Sequence, residues 1–147
     1  MILVTGGTGF LGSTLIKKLI NSGVVVTATK RESSVIPEEL TNSALIKWVN
    51  ADVTDYFTLS DLFDNITEVY HCAAQISYQK GNATQMNNIN IEGTKNIVNL
   101  CIEHHARLLY VSSIAALGTN KLNKPVSETD KWEYNKKISN YSTSKYK

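Results

Sequence analysis

Apolar and polar positions along this chain fall into short blocks whose period changes. Residues 2–5 (ILVT) are an apolar run that ends on glycines. Residues 11–21 set Leu11, Leu15 and Leu19 beside Ile16 and Ile20 at the spacing of an amphipathic helix, and Gly23 is placed to stop it. The β-branched run 24–29 reads as a second strand, 45–49 as a third, 69–73 as a fourth and 108–112 as a fifth. Between them, 58–63 suits a short helix. Residues 86–104 suit a long one, with Ile89, Gly93, Ile97, Leu100, Cys101 and His104 near one face. Residues 120–140 are polar and irregular and read as a surface loop, and Tyr141 opens another helix. Strands separated by helices imply βαβ units and a parallel sheet. With right-handed crossovers this predicts a doubly wound α/β fold of strand order 3-2-1-4-5. Its ligand site is then the carboxyl edge, where the order reverses between strands 1 and 4.

Composition narrows the function. A chain of 147 residues, 42% hydrophobic and 19% charged, suits one globular domain with a core. The net charge of +2 comes from 15 basic and 13 acidic residues spread along the chain, which argues against nucleic acid and against a membrane surface as partners. Nothing resembles a signal peptide, and no apolar stretch approaches the ~20 residues of a membrane span; the expected location is the cytoplasm. Cys72 and Cys101 lie in apolar segments and read as buried free thiols. The adjacent His104 and His105 diverge by about 100° on a helix, so they read as its solvent-side end and no metal site is expected.

The first strand runs into Thr5-Gly6-Gly7-Thr8-Gly9-Phe10-Leu11-Gly12, with Gly6, Gly9 and Gly12 spaced G-x-x-G-x-x-G. Glycines here permit a sharp turn, close approach of a pyrophosphate and tight helix–strand packing. The N–H groups of Phe10, Leu11 and Gly12 at the helix start can then hold phosphate. A strand before and an amphipathic helix after are the context this motif requires, and it marks a Rossmann dinucleotide site. Strand 2 ends on Lys30-Arg31, with Glu32 the first carboxylate. Two cations favour the 2′-phosphate of NADP, Arg31 offering a planar fork; NAD is the alternative if both are ordinary surface charges.

Taken together, TGGTGFLG (5–12), HCAAQIS (71–77), NIEGTKN (90–96), VSSIAALG (111–118) and YSTSK (141–145) resemble, in order and spacing, the extended branch of the short-chain dehydrogenase/reductase family. The look is nearest to its dihydroflavonol-reductase and 3β-hydroxysteroid-dehydrogenase members. The resemblance implies that Ala73 and Ala74 lie beside the cofactor. It also implies that Asp52 accepts from the adenine amino group, with Val53 beside the ring; a turn or capping Asp is the other reading of Asp52.

Hydride reduction of a carbonyl leaves charge on oxygen, so the site must donate a proton there and stabilise the alkoxide. A tyrosine does this well when a nearby cation favours its phenolate. Tyr141 and Lys145, four apart, share a helix face. The resemblance implies that Lys145 also reaches the nicotinamide ribose with Tyr141 beside it, that Ser113 binds the substrate oxygen, and that Asn90 supports the site through backbone or water contacts. The expected activity is NAD(P)-dependent reduction of a small carbonyl compound or oxidation of the alcohol. A nucleotide-sugar epimerase with bound NAD is the alternative; Ile114 and Ala115 stand where family dehydratases carry paired acids. A non-catalytic nucleotide-binding role is the third reading. In the resembled family the pocket-shaping segment and a sixth strand follow the Tyr/Lys helix. Residues 1–147 are therefore read as an incomplete NAD(P)-binding domain, truncated before both, that binds dinucleotide weakly and turns over poorly. Tyr78, Gln79 and residues 124–128 are candidate pocket borders, more simply read as surface loop. Family dimers pair through the helices at 86–104 and Tyr141, which implies a homodimer.

Overall fold

The computed structural model describes residues 1–77, 79–117, 125–134 and 138–147. Its five strands are β1 Ile2–Thr5, β2 Val26–Lys30, β3 Ile46–Asn50, β4 Glu68–His71 and β5 Arg107–Tyr110, all parallel, in the order β3-β2-β1-β4-β5. The structure is a Rossmann sheet of the expected order. Leu3 and Val4, adjacent on the central strand, point to opposite faces. Each seeds one core. Leu3 packs with Leu59, Phe63, Val69, Ile97, Leu100 and Cys101, while Val4 packs with Ile16, Val26, Ala28 and Leu40. Burial of β1 on both faces is why its sequence reads as continuously apolar.

Helix α1, Phe10–Asn21, ends where Gly23 takes φ +77 and donates to the Ile20 carbonyl at 2.9 Å, and Val24 donates to Leu19 at 3.0 Å. This is the 6→1 and 5→2 closure that favours glycine. Helix α2 is Tyr56–Ser60, two residues earlier than the periodicity suggests. Asp55 sets the start: its carboxylate accepts from Thr58 N–H at 3.2 Å and from Thr58 Oγ1 at 2.6 Å. Phe63 lies past the helix and is buried through the loop.

The long helix begins earlier than expected and is not uniform. Helix α3, Ala83–Asn87, passes through a π turn, Asn88–Glu92, into α4, Gly93–Glu103. The wider turn directs Ile89 to one side and buries Asn90 on the other. A Cβ on Gly93 would lie 2.6 Å from Val53 Cγ2, so glycine there lets α4 seat against the end of β3. Helix α5, Asn140–Tyr146, is capped by Ser139, whose Oγ accepts from Ser142 N–H at 3.0 Å. Trp132, from the preceding loop, stacks on Tyr146 with ring centroids 4.4 Å apart.

Two smaller expectations are corrected. His104 is half-buried, its ring 5.5 Å from Phe63, because it follows the buried Leu100 by one turn at the end of α4; only His105 is exposed. Cys101 is buried and its thiol is pushed up to about 11 by desolvation, but Cys72 is only half-buried, because β4 ends at His71 and the chain there borders a cleft. Among the described residues no helix is long and apolar enough to cross a membrane, and no cluster is placed to hold a metal ion.

Candidate functional site

A cleft of about 270 Å³ opens at the carboxyl edge of the sheet, above the β1/β4 boundary. Gly6 and Gly9 form its floor, with Thr8 beside them. Gly6 has φ +67, and a Cβ there would lie 2.8 Å from the backbone of Ala73. A Cβ on Gly12 would run into the Gly6 carbonyl oxygen. A larger residue at Gly12 would drive α1 away from the end of β1, and one at Gly6 would press on the backbone that follows β4. No side chain caps α1, and its opening bond runs from Ser13 N–H to Gly9 C=O. The N–H groups of Phe10, Leu11 and Gly12 therefore stand at the helix's positive end, the arrangement that suits a phosphate. Their side chains do not line the cleft; the Phe10 ring is 93% exposed. What these positions offer is backbone.

The β2 and β3 ends supply the next wall. Thr29, Lys30, Arg31 and Ser34 line it on one side and Ala51, Asp52 and Val53 on the other. Asp52 Oδ1 accepts from Thr54 N–H at 2.9 Å and Thr54 Oγ1 at 2.7 Å. Asp52 is thus a turn residue and a cleft residue at once, its orientation fixed by the turn. The far wall is Cys72, Ala73, Ala74 and Gln75, with Ile89 from the π turn. Periodicity placed Ile89 on a helix face but did not assign it, Thr8, Thr29, Ser34 or Ala51 to a cleft, because lining a cleft depends on where each strand stops and not on residue type.

Beneath Ala73 lies a buried polar chain that sequence reasoning missed. Ala73 N–H donates to Thr5 Oγ1 at 3.3 Å, Thr5 Oγ1 lies 2.6 Å from His71 Nδ1, and His71 Nε2 lies 3.1 Å from Thr94 Oγ1. A neutral imidazole carries one N–H and one bare nitrogen, so the His71 ring donates to one of these two hydroxyls and accepts from the other. His71 is fully buried, and desolvation first, then the charge of Lys145, lower its pKa to about 4. The signal in the sequence is a lone histidine ending an apolar strand.

The predicted catalytic residues come from β5, the π turn and α5. Lys145 is 7% exposed; its Nζ donates to Val111 C=O at 2.9 Å and lies 4.2 Å above the Tyr110 ring, which itself stacks on His71. Tyr141 is half-buried one turn earlier on α5. Neither lines the cleft wall; Lys145 borders a groove between α4 and α5. Ser113 is half-buried just past β5 and its Oγ accepts from Ala115 N–H at 3.2 Å, while Ser112 is exposed. Asn90 is 2% exposed and makes three bonds. Its Oδ1 accepts from Gln75 N–H at 2.8 Å, and its amide nitrogen donates to Gln75 C=O and to Ser144 Oγ, each at 2.9 Å. It joins the far cleft wall to the Tyr141/Lys145 helix. Gln79 and residues 125–128 do not line the cleft, and Tyr78 and Lys124 lie outside the described residues, as does Gly118.

The comparisons agree with this geometry. The chain is 34% identical over 145 residues to a protein of Synechocystis sp. named "Putative dihydroflavonol 4-reductase", covering 97% of this chain and 41% of the relative. It is 29% identical over 125 residues to the monkeypox virus 3 beta-hydroxysteroid dehydrogenase/Delta 5→4-isomerase, covering 83% of this chain and 36% of the relative. Among solved structures, the Bordetella bronchiseptica enzyme WbmG in complex with NAD and UDP superposes with a TM-score of 0.84 at 25% identity, over 99% of this chain and 46% of that one. The chain thus spans less than half the length of the proteins it matches. The model of the NAD dependent epimerase/dehydratase family matches residues 2–147, and the chain belongs to that family.

Proposed function

We propose that this chain is the dinucleotide-binding part of an NAD(P)-dependent oxidoreductase that interconverts a small carbonyl compound and its alcohol. The observation that carries the reading is the cleft itself. Gly6, Thr8 and Gly9 line it just before the uncapped start of α1, cations stand at the end of β2, and Asp52 with Val53 stands past the end of β3. The glycine loop and Phe10–Gly12 hold the pyrophosphate, Asp52 and Val53 the adenine, and Ala73 and Ala74 the far half. A nicotinamide held there would supply the hydride or accept it. Tyr141 gives the proton to the carbonyl oxygen, or takes it from the alcohol. Lys145 lowers the cost of the phenolate, and Ser113 orients the substrate oxygen. Asn90 acts through Gln75 and Ser144 and is a positioning residue. The Lys145 ammonium is held by the Val111 carbonyl and lies over the Tyr110 ring, which fixes its position on α5.

Lys30 and Arg31 support NADP over NAD. Wild-type chain is expected to bind NADPH more tightly than NADH, and Arg31→Ala to lower that ratio roughly tenfold, the loss of one charged hydrogen bond of about 1.5 kcal/mol. Calorimetric titration of both nucleotides checks it. An unchanged ratio would remove NADP preference, and no binding of either nucleotide would remove the dinucleotide reading. A nucleotide-sugar epimerase is the second reading, favoured by the similarity to a protein solved with NAD and UDP; it predicts NAD that stays bound through turnover.

A further inference from the structure

Lys145 is buried, and a buried ammonium needs partners for its charge. Among the described residues the ion pairs join Lys95 to Glu92 and Arg107 to Glu68, and neither involves Lys145. Its partners are neutral. The Val111 carbonyl accepts from Nζ at 2.9 Å, and the Tyr110 ring presents its face with the centroid 4.2 Å from Nζ, within reach of a cation–π contact. A carboxylate in either place would hold the ammonium and offset its charge. A carbonyl dipole and a π face hold it and leave the charge free to act on a neighbour.

The Tyr110 ring is fixed in turn by its neighbour. Parallel pairing of β4 with β5 sets His71 beside Tyr110, and the two rings stack with centroids 5.6 Å apart and 23° between their planes. His71 is fully buried, is held at its two ring nitrogens by Thr5 and Thr94, and is neutral in the folded chain. It therefore steadies Tyr110 without setting a second cation against Lys145. The helix that carries Lys145 needs such anchors, because α5 has only 7 residues and a helix of that length is not stable alone. Resting on the proton-transfer reading above, we propose that Tyr110 is a positioning residue for that step. Its ring holds the Lys145 ammonium at the carboxyl end of β5, one helical turn from Tyr141, without neutralising it. Tyr110 does not line the cleft and acts through Lys145.

The first arm of the test needs no substrate. In the chain with ¹³C-labelled lysine, the ring current of Tyr110 is expected to move the Lys145 ε-protons upfield of those of exposed lysines; loss of the signal in Lys145→Met assigns it. Tyr110→Leu should return the signal to the exposed position, and Tyr110→Phe, which keeps the π face, should not. The second arm is a cycle read in kcat for NADPH oxidation with a carbonyl substrate, in an active form of the protein. Tyr110→Leu is expected to lower kcat about tenfold with KM nearly unchanged, the size of one buried cation–π contact, and Tyr110→Phe to recover most of that loss. In the Lys145→Met background Tyr110→Leu should cost almost nothing more, whereas a merely structural role would cost the same in both. Tyr110→Met repeats both arms should the leucine variant fold poorly. A Lys145 signal unmoved by Tyr110→Leu would overturn this inference alone. So would equal losses for phenylalanine and leucine, or a loss that persists undiminished in Lys145→Met. An unchanged kcat in Lys145→Met itself would overturn the proton-transfer reading, and this inference with it.

Discussion

Tyr141→Phe is expected to slow hydride transfer by about 10²- to 10⁴-fold, the usual contribution of a positioned general acid, while leaving dinucleotide affinity nearly unchanged. The phenyl ring keeps the half-buried packing on α5 and removes only the hydroxyl. Lys145→Met is expected to slow the step to a similar extent and to do a second thing that Tyr141→Phe does not. Lys145 bonds the Val111 carbonyl and sits over Tyr110, so its loss also loosens α5 from β5 and lowers Tm. The measurement is NADPH oxidation with a carbonyl substrate in an active form of the protein, kcat and KM resolved separately. A Tyr141→Phe variant within threefold of wild type in kcat would remove Tyr141 as the acid.

Acid is expected to weaken the fold through His71. Its pKa in the folded chain is lowered to about 4 from an ordinary 6.5, by burial first and by the charge of Lys145 second. A histidine depressed in this way is neutral in the folded state. Between pH 6.5 and 4 the unfolded chain therefore binds more protons than the folded one, and stability rises with pH across that window. The contribution is fully present above pH 6.5 and is lost as pH falls toward 4. From the size of the shift it amounts to about 3 kcal/mol. Protonation would also make both ring nitrogens donors and so spoil whichever bond the neutral ring accepts, from Thr5 or from Thr94, in the chain that reaches Ala73 at the cleft wall. Urea unfolding at a series of pH values checks this, with His71→Gln as the control. The glutamine keeps a donor and an acceptor but does not titrate, so the variant's stability should change by about 3 kcal/mol less over the same interval. A His71 ring titrating near 6.5 in the folded protein by NMR, its ordinary value, would contradict the account.

What the residues alone disclose follows a physical division. β1 was legible because burial on both faces forces a continuous apolar run, as at Leu3 and Val4. Gly6 and Gly12 were legible because their backbone demands exclude other residues. The π turn was not, since Asn88–Glu92 differs from an ordinary helix by one inserted residue and leaves no periodic trace at that length. That Gln75 and Ile89 line one cleft was hidden for another reason. Their role comes from the stop of β4 and the wide turn of the helix, which bring together positions 14 apart. Asn90 was legible only through family resemblance; its bonds to Gln75 and Ser144 show what it does. Lys145 shares a helix face with Tyr141 as its spacing requires, yet spacing did not foretell that Val111 and Tyr110 would hold its ammonium.

The central claim is that the cleft at the β1/β4 boundary holds a dinucleotide. The most direct measurement is a titration of the ¹⁵N-labelled chain with NADPH, followed amide by amide, which registers weak binding as readily as tight. The account predicts shifts concentrated at Gly6, Gly9–Gly12, Arg31, Asp52, Ala73 and Gln75, spreading through Asn90 to Ser144. Amides that stay unmoved at saturating NADPH, or that move only on the α2 face or the β5 edge, would contradict it.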